Sequence, residues 1–291
     1  MSWRDQGQVW VCLVALLLVA GCSQRNIKAT AAGSLERTAK PNLQAEAKEL
    51  PRPQELVIDL GGGVKMEFVL IRPGSFQMGS ENGDTDEKPV HKVTITKPFY
   101  MGKYEVTQEQ WKAVMGAYEE SDHPRSRGEG VNAARCPAES VSWEECQPFL
   151  HKLGEKVPAH KFRLPAEAEW EYACRAGSSA EYCYGDDVAG LAEYAWYAGN
   201  SGSKVHPVGE KKPNAWGLHD MYGNVWEWCA DVYGPYQDEG SAGKTGAQGH
   251  VLRGGSCGHE ASFCRSAFRI GIEADYDNYD MGVRLVCAAA D

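Results

Sequence analysis

The chain has 291 residues, a formal net charge of −10, 43% apolar residues and ten cysteines. An acidic surface repels phosphate backbones, which argues against nucleic acid as a partner. Ten thiols would be hazardous if left free in an oxidising compartment, so some are expected to be disulfide-bonded.

In chain order, the first segment is "MSWRDQGQVWVCLVALLLVAGCSQ", where Arg4 precedes an apolar run from Val9 to Ala20. The run is too short and too lightly flanked for a membrane span and reads as an export signal over residues 1–21. Its end, "LVAGC", resembles a bacterial lipoprotein processing site, so cleavage before Cys22 would free that residue for lipidation. Ser23 is similar to the second residue of lipoproteins sent to the outer membrane. The other reading is an uncleaved N-terminal anchor, and in both cases the body of the protein leaves the cytoplasm. Residues 22–54 are rich in Ala, Glu, Lys, Arg, Gln and Pro and bury too little apolar surface to offset the entropy of ordering, so they form a tether. Residues 55–289 have the length of one large domain with a single core.

Within the domain, "VTQEQWKAVMG" predicts a helix with Thr107 and Gln110 in capping-box register and a stop at Gly116. "VSWEECQPFLHKLG" repeats the pattern with Ser142, Glu145 and Gly154, although Pro148 inside it predicts a late start or a bend. "RLPAEAEWEYACRAG" predicts a third helix, with Pro165 near its first turn, Glu167 and Glu169 at its positive end, and Gly177 as the stop. Trp170 and Cys174 then share a face. Strands are expected at "MEFVLI", "SFQMG", "HKVTI" and "MGVRLVC", the last over Met281 to Cys287. Between them lie aperiodic stretches rich in glycine and aromatic residues, and seven of the nine tryptophans fall in the domain. The fold class is therefore α+β, a single irregular, aromatic-rich domain.

Three motifs carry candidate chemistry. In "GLHDMYGNVWEWCAD", Asp220 and Glu227 supply hard oxygens, and Gly223 lets the carbonyls of Gly223 and Val225 turn inward, a calcium-like ligand set. The alternative is that Asp220 caps a turn while Glu227 pairs with an arginine. "GGSCG" matches the G-x-S-x-G nucleophile elbow, but such a hydrolase needs an acid and then a histidine after the serine, and His259 is the last histidine. Cys257 and Cys264 are seven residues apart, about 23 Å of extended chain, so their sulfurs meet only if the segment folds back. Otherwise each thiol has another disulfide partner or a buried apolar seat.

The ordered set "RPGSFQMGS", "YEVTQEQW", "VSWEEC", "RLPAEAEWEYACRAG", "NAWGLHDMYGNVWEWCAD", "LRGGS", "CRSAFR" and "MGVRLV" resembles the formylglycine-generating enzyme, or sulfatase-modifying-factor, family from about Val64 to Val286. The resemblance implies a compact fold related to C-type lectin domains. It also implies a structural calcium at Asp220, Gly223, Val225 and Glu227, and a disulfide between Cys174 and Cys287, the latter displaced by two residues from the family position. The family's enzymes oxidise a substrate cysteine to formylglycine with O₂ and a copper(I) ion held by two cysteines. By resemblance, Cys264 matches the second of these, Ser256 an active-site serine and Trp226 an active-site tryptophan. His259 stands where the first cysteine belongs, and Cys257 falls two residues early. A mixed His259 and Cys264 site is one that copper or zinc would accept.

The expected function is accordingly an exported lipoprotein whose pocket near Trp226, Ser256 and Cys264 binds or matures a peptide, glycan or partner protein. Its membrane contact would run through the lipid on Cys22, at the outer membrane facing the periplasm or the cell surface. Calcium is the expected structural ion, and copper is disfavoured. The alternative is a formylglycine-generating oxidase acting on an exported protein such as a sulfatase.

Overall fold

A computed structural model describes residues 54–118, 132–236 and 249–289. The signal segment, Cys22 and all but the last residue of the tether lie outside the described residues. Among the described residues, no helix is long and apolar enough to cross a membrane.

The strands and helices run β1 (Glu55–Gly61), β2 (Val64–Ile71), β3 (Gly74–Met78), β4 (His91–Ile95), β5 (Phe99–Gly102), α1 (Gln108–Met115), α2 (Trp143–Lys156), β6 (Phe162–Arg163), α3 (Glu167–Arg175), β7 (Trp226–Val232), β8 (His250–Arg253), β9 (Arg269–Ile272), β10 (Met281–Gly282) and β11 (Val286–Ala288). Strands β1-β2-β5-β11-β6 form one sheet, β10-β7-β8-β9 a second, and β3 with β4 a hairpin. Among the strands of the described residues, only β10 and β7 pair in parallel, with Met281 opposite Trp226. Mixed elements joined by long irregular stretches give the expected α+β class.

Alternation along the strands of the first sheet divides the core. Met66 and Phe68 point into a cluster with Trp111, Phe149 and Leu153 of α1 and α2. Val69 and Ile71 point the other way, into a cluster with Trp170, Ala173 and Cys174 of α3. The Trp111 and Phe149 rings stack with centroids 4.4 Å apart. Each such ring contributes on the order of 1.5–3 kcal/mol by burial. The sheet therefore lies between two apolar clusters.

This arrangement corrects the Cys174–Cys287 disulfide. Val286 of β11 faces the cluster of Cys174, whereas Cys287, one residue on, faces the other. The Cys174 thiol instead donates to the Met221 carbonyl at 3.8 Å, and the Cys287 sulfur lies 3.8 Å from His160 Nδ1. None of the eight described cysteines is disulfide-bonded.

Helix α1 has the expected caps, with Thr107 Oγ1 accepting from the Gln110 N–H and Gly116 left-handed at φ 88°. Helix α2 differs from expectation, because it starts at Trp143 and continues past Gly154. Pro148 removes one bond to the Glu144 carbonyl, but both residues are on the exposed face, where water replaces the lost donor. The expected strand over 281–287 is broken into β10 and β11. Between them Val283, Arg284 and Leu285 are all buried, so the alternation that suggested one ladder does not separate a wet face from a dry one.

Candidate functional site

The pairing of β10 with β7 brings Asp280 beside Trp226, whose backbone N–H donates to the Asp280 carbonyl at 2.7 Å. The turn after β8 adds Ser256 and His259. Trp226, His259, Ile270, Ile272, Tyr276 and Asp280 are among the walls of a cleft of about 470 Å³.

Three of the site's side chains form one hydrogen-bonded unit. Ser256 Oγ donates its only hydrogen to Asp280 Oδ2 at 2.6 Å. The contact from Ser256 Oγ to His259 Nδ1, also 2.6 Å, must then carry the ring's proton toward the serine. Trp226 Nε1 approaches the same Nδ1 at 3.3 Å, with the rings edge to face at 75°. Both nitrogens cannot direct a hydrogen into one contact, and the shorter serine bond assigns the hydrogen to His259 Nδ1. Asp280 is 1% exposed and its Oδ1 has no hydrogen-bond partner. This is not a Ser-His-Asp nucleophile, because Ser256 is fully buried and bridges the acid and the ring rather than facing substrate.

The structure does not bring Cys257 and Cys264 together at the cleft. Cys257 packs with Cys136, Val205 and Val225, whereas Cys264 belongs to the α3 cluster with Cys174, Tyr182 and Tyr222. A methyl group on Gly255 would stand 2.6 Å from the Cys264 sulfur, so that face of the thiol is closed by backbone. Burial pushes the Cys264 thiol up to about 12. It pushes Cys257 well above its ordinary value, with the Asp280 carboxylate as the next cause. Burial thus disfavours the thiolate form of both in the metal-free protein. The residues present do not fit a two-thiolate copper centre, and the copper roles suggested for Cys257, Cys264 and His259 are not supported geometrically.

The calcium-like set is divided. Arg284 grips Glu227 through Nε at 3.0 Å and 2.9 Å and through Nη2 at 2.6 Å, and Trp170 Nε1 donates to the same carboxylate at 2.6 Å. Glu227 thus has the arginine partner that the sequence left as its alternative. Gly223, at φ 74°, passes so close to Trp196 that a Cβ would enter the Trp196 carbonyl oxygen. The Val225 N–H donates to Glu105 Oε1 at 3.1 Å. Asp220 differs: Oδ2 accepts the Gly209 N–H at 2.7 Å, while Oδ1 is buried without a partner. Burial raises the Asp220 carboxyl to about 6, and burial, followed by the charges of Asp220 and Glu227, raises Glu105 well above the carboxylate range. Three buried carboxylates share one guanidinium, so the Asp220 side fits an added cation and the Glu227 side does not. Among the described residues, no three His, Cys, Asp or Glu side chains converge to hold a metal ion.

Sequence reasoning missed Glu105, Asp280 and Arg284. The first lies 120 residues from its partner Val225 and carries no local signature. Arg284 was hidden in an apparent strand. Asp280 had a signal in "EADYDNYD", an aromatic and acidic run that neither alternates nor has helical period.

Residues 63–289 match the family described as "Sulfatase-modifying factor enzyme 1-like domain". The chain is 32% identical over 233 residues to "Serine/threonine-protein kinase pkn1" of Chlamydia pneumoniae, an alignment covering 72% of this chain and 34% of that relative, so it spans only about a third of the relative's length. It is 30% identical over 226 residues to "Formylglycine-generating enzyme" of Mycobacterium tuberculosis, covering 58% of this chain and 75% of that one. The solved structure "Treponema denticola variable protein 1" superposes with a TM-score of 0.74 at 31% identity, covering 81% of this chain and 100% of that one.

Proposed function

Because the chain belongs to the sulfatase-modifying factor enzyme 1-like family, we propose that it is a binding or protein-maturation module that uses the family fold without copper oxidation. The observation that carries this reading is that neither Cys257 nor Cys264 belongs to the wall of the cleft formed by Trp226, His259 and Asp280. Oxidation of a substrate cysteine needs metal-bound thiolates facing that space, whereas here both thiols are buried away from it. What the cleft offers is an imidazole held in place by Ser256, a buried carboxylate with one unpartnered oxygen and apolar walls, a set suited to holding a ligand. In this proposal the protein is an exported lipoprotein, anchored through Cys22 at the outer membrane. It acts on an exported protein, peptide or glycan in the periplasm or at the cell surface.

The purified full chain, incubated with copper, a reductant, O₂ and a peptide containing a Cys-x-Pro-x-Arg stretch, is expected to yield no hydrazide-trappable aldehyde. Aldehyde that disappears in Cys264→Ala would overturn the reading in favour of the oxidase.

A structural calcium beside Asp220 is part of the same proposal, supported by the unpartnered Oδ1 and the surplus of buried carboxylates. Adding calcium at about 100 times its Kd to chelator-stripped protein should stabilise it by about 2.7 kcal/mol. Thermal melts should show a rise of roughly 5–10 °C. Asp220→Asn keeps an oxygen for the Gly209 N–H and should abolish the response. A rise that persists in Asp220→Asn would place the ion elsewhere.

A further inference from the structure

We infer that the cleft takes a cationic side chain, lysine or arginine, presented by a partner polypeptide; this rests on the cleft being a ligand site, as proposed above. The argument begins with charge. The ionisable groups in its wall are His259, Glu273, Tyr276 and Asp280, with no lysine or arginine among them. The segment that shapes its rim, "EADYDNYD" from Glu273 to Asp280, carries four carboxylates and no basic residue. Glu273, Asp275 and Asp277 are exposed and make no salt bridge among the described residues. Such a rim draws cations toward the cleft and repels anions.

The second observation is buried. Asp280 is 1% exposed, belongs to the cleft wall and has an Oδ1 without a partner. A carboxylate oxygen removed from water without a hydrogen bond is unfavourable, and a ligand N–H donor relieves it. The Ser256 relay adds to this preference. By donating to Asp280 Oδ2, Ser256 satisfies that oxygen and leaves Oδ1 as the carboxylate oxygen without a donor. A donor-rich ammonium or guanidinium supplies the hydrogen that this oxygen lacks.

The remaining walls suit the stem of such a side chain. Ile270, Ile272 and Met281 offer apolar surface for methylenes, and Tyr276, 49% exposed at the rim, offers a ring face for a cation. A neutral thiol, the group the family's enzymes process, would leave Asp280 Oδ1 and the acidic rim uncompensated.

The test uses the full chain in detergent and pentapeptides Gly-Gly-X-Gly-Gly, acetylated and amidated at their ends, followed by saturation-transfer difference NMR. With X as lysine or arginine, affinity should exceed that of the norleucine and cysteine peptides at least tenfold and should fall with added salt. Asp280→Asn should abolish the preference. Should that variant not fold, Glu273→Gln, at an exposed position, should still reduce affinity for the lysine peptide severalfold. Equal binding of the norleucine peptide would overturn the cation preference while leaving the cleft as a ligand site. Tighter binding of cadaverine than of the lysine peptide would replace the polypeptide with a free amine and overturn the proposal. Failure of every probe would overturn it as well, and the aldehyde assay would then decide separately whether the binding reading stands.

Discussion

Glu227→Ala should destabilise the domain by about 3–5 kcal/mol, the range for removing one partner of a buried ion pair. Glu227 and Arg284 are both fully buried, and the guanidinium also donates to the carbonyls of Gly102 and His219, each at 2.9 Å. Loss of the carboxylate leaves a buried charge hydrogen-bonded only to carbonyls, with Glu105 and Asp220 as the remaining nearby carboxyl groups, and releases Trp170 Nε1 from its bond. Urea unfolding measures the effect, and the melting temperature should fall by roughly 6–20 °C. Glu227→Gln, which keeps acceptors but not the charge, should lose less. If Glu227 served chiefly as a calcium ligand, the loss would appear only when calcium is present. We expect it equally in chelator, because the arginine is the partner.

Gly223→Ala should be comparably damaging for a different reason. The residue sits at φ 74°, donates its N–H to the Gly254 carbonyl at 2.8 Å and bridges to Trp196. A methyl group there enters the Trp196 carbonyl, and backbone cannot swing aside as a flexible side chain can. Strain from the left-handed conformation contributes about 1 kcal/mol, and the displaced bridge should bring the total to several. The decisive comparison is Gly116→Ala, also at positive φ but with open space around it. It should lose only the conformational part. Equal losses in the two variants would mean that contact with Trp196 is not what requires glycine.

The helices were legible because their ends are written locally. Thr107 with Gln110, and Ser142 with Glu145, close bonds within one turn, so spacing alone reveals them. The family, too, was legible, because its motifs recur in order across nearly the whole domain. The candidate site was only half legible. Trp226, Ser256 and His259 stand in recognisable motifs, but Asp280 reaches them through a parallel pairing of two-residue β10 with β7, too short to have a period. The cysteine pairing misled for a related reason. Sequence offset kept Cys287 in the expected parity, while the break after Gly282 moved it to the far face of the sheet.

The thiols also give the domain a chemical memory of its own opening. Burial raises seven of the eight described cysteines above their ordinary values, Cys183 to about 11 and Cys229 and Cys257 well beyond. Folded, these sulfurs are poor nucleophiles and stay dormant toward alkylating agents. Unfolding exposes them together and restores ordinary thiolate chemistry. Any molecule that opens long enough to meet an oxidant can acquire a cross-link between residues that the native sheet keeps on opposite sides, and such a bond would bar its return.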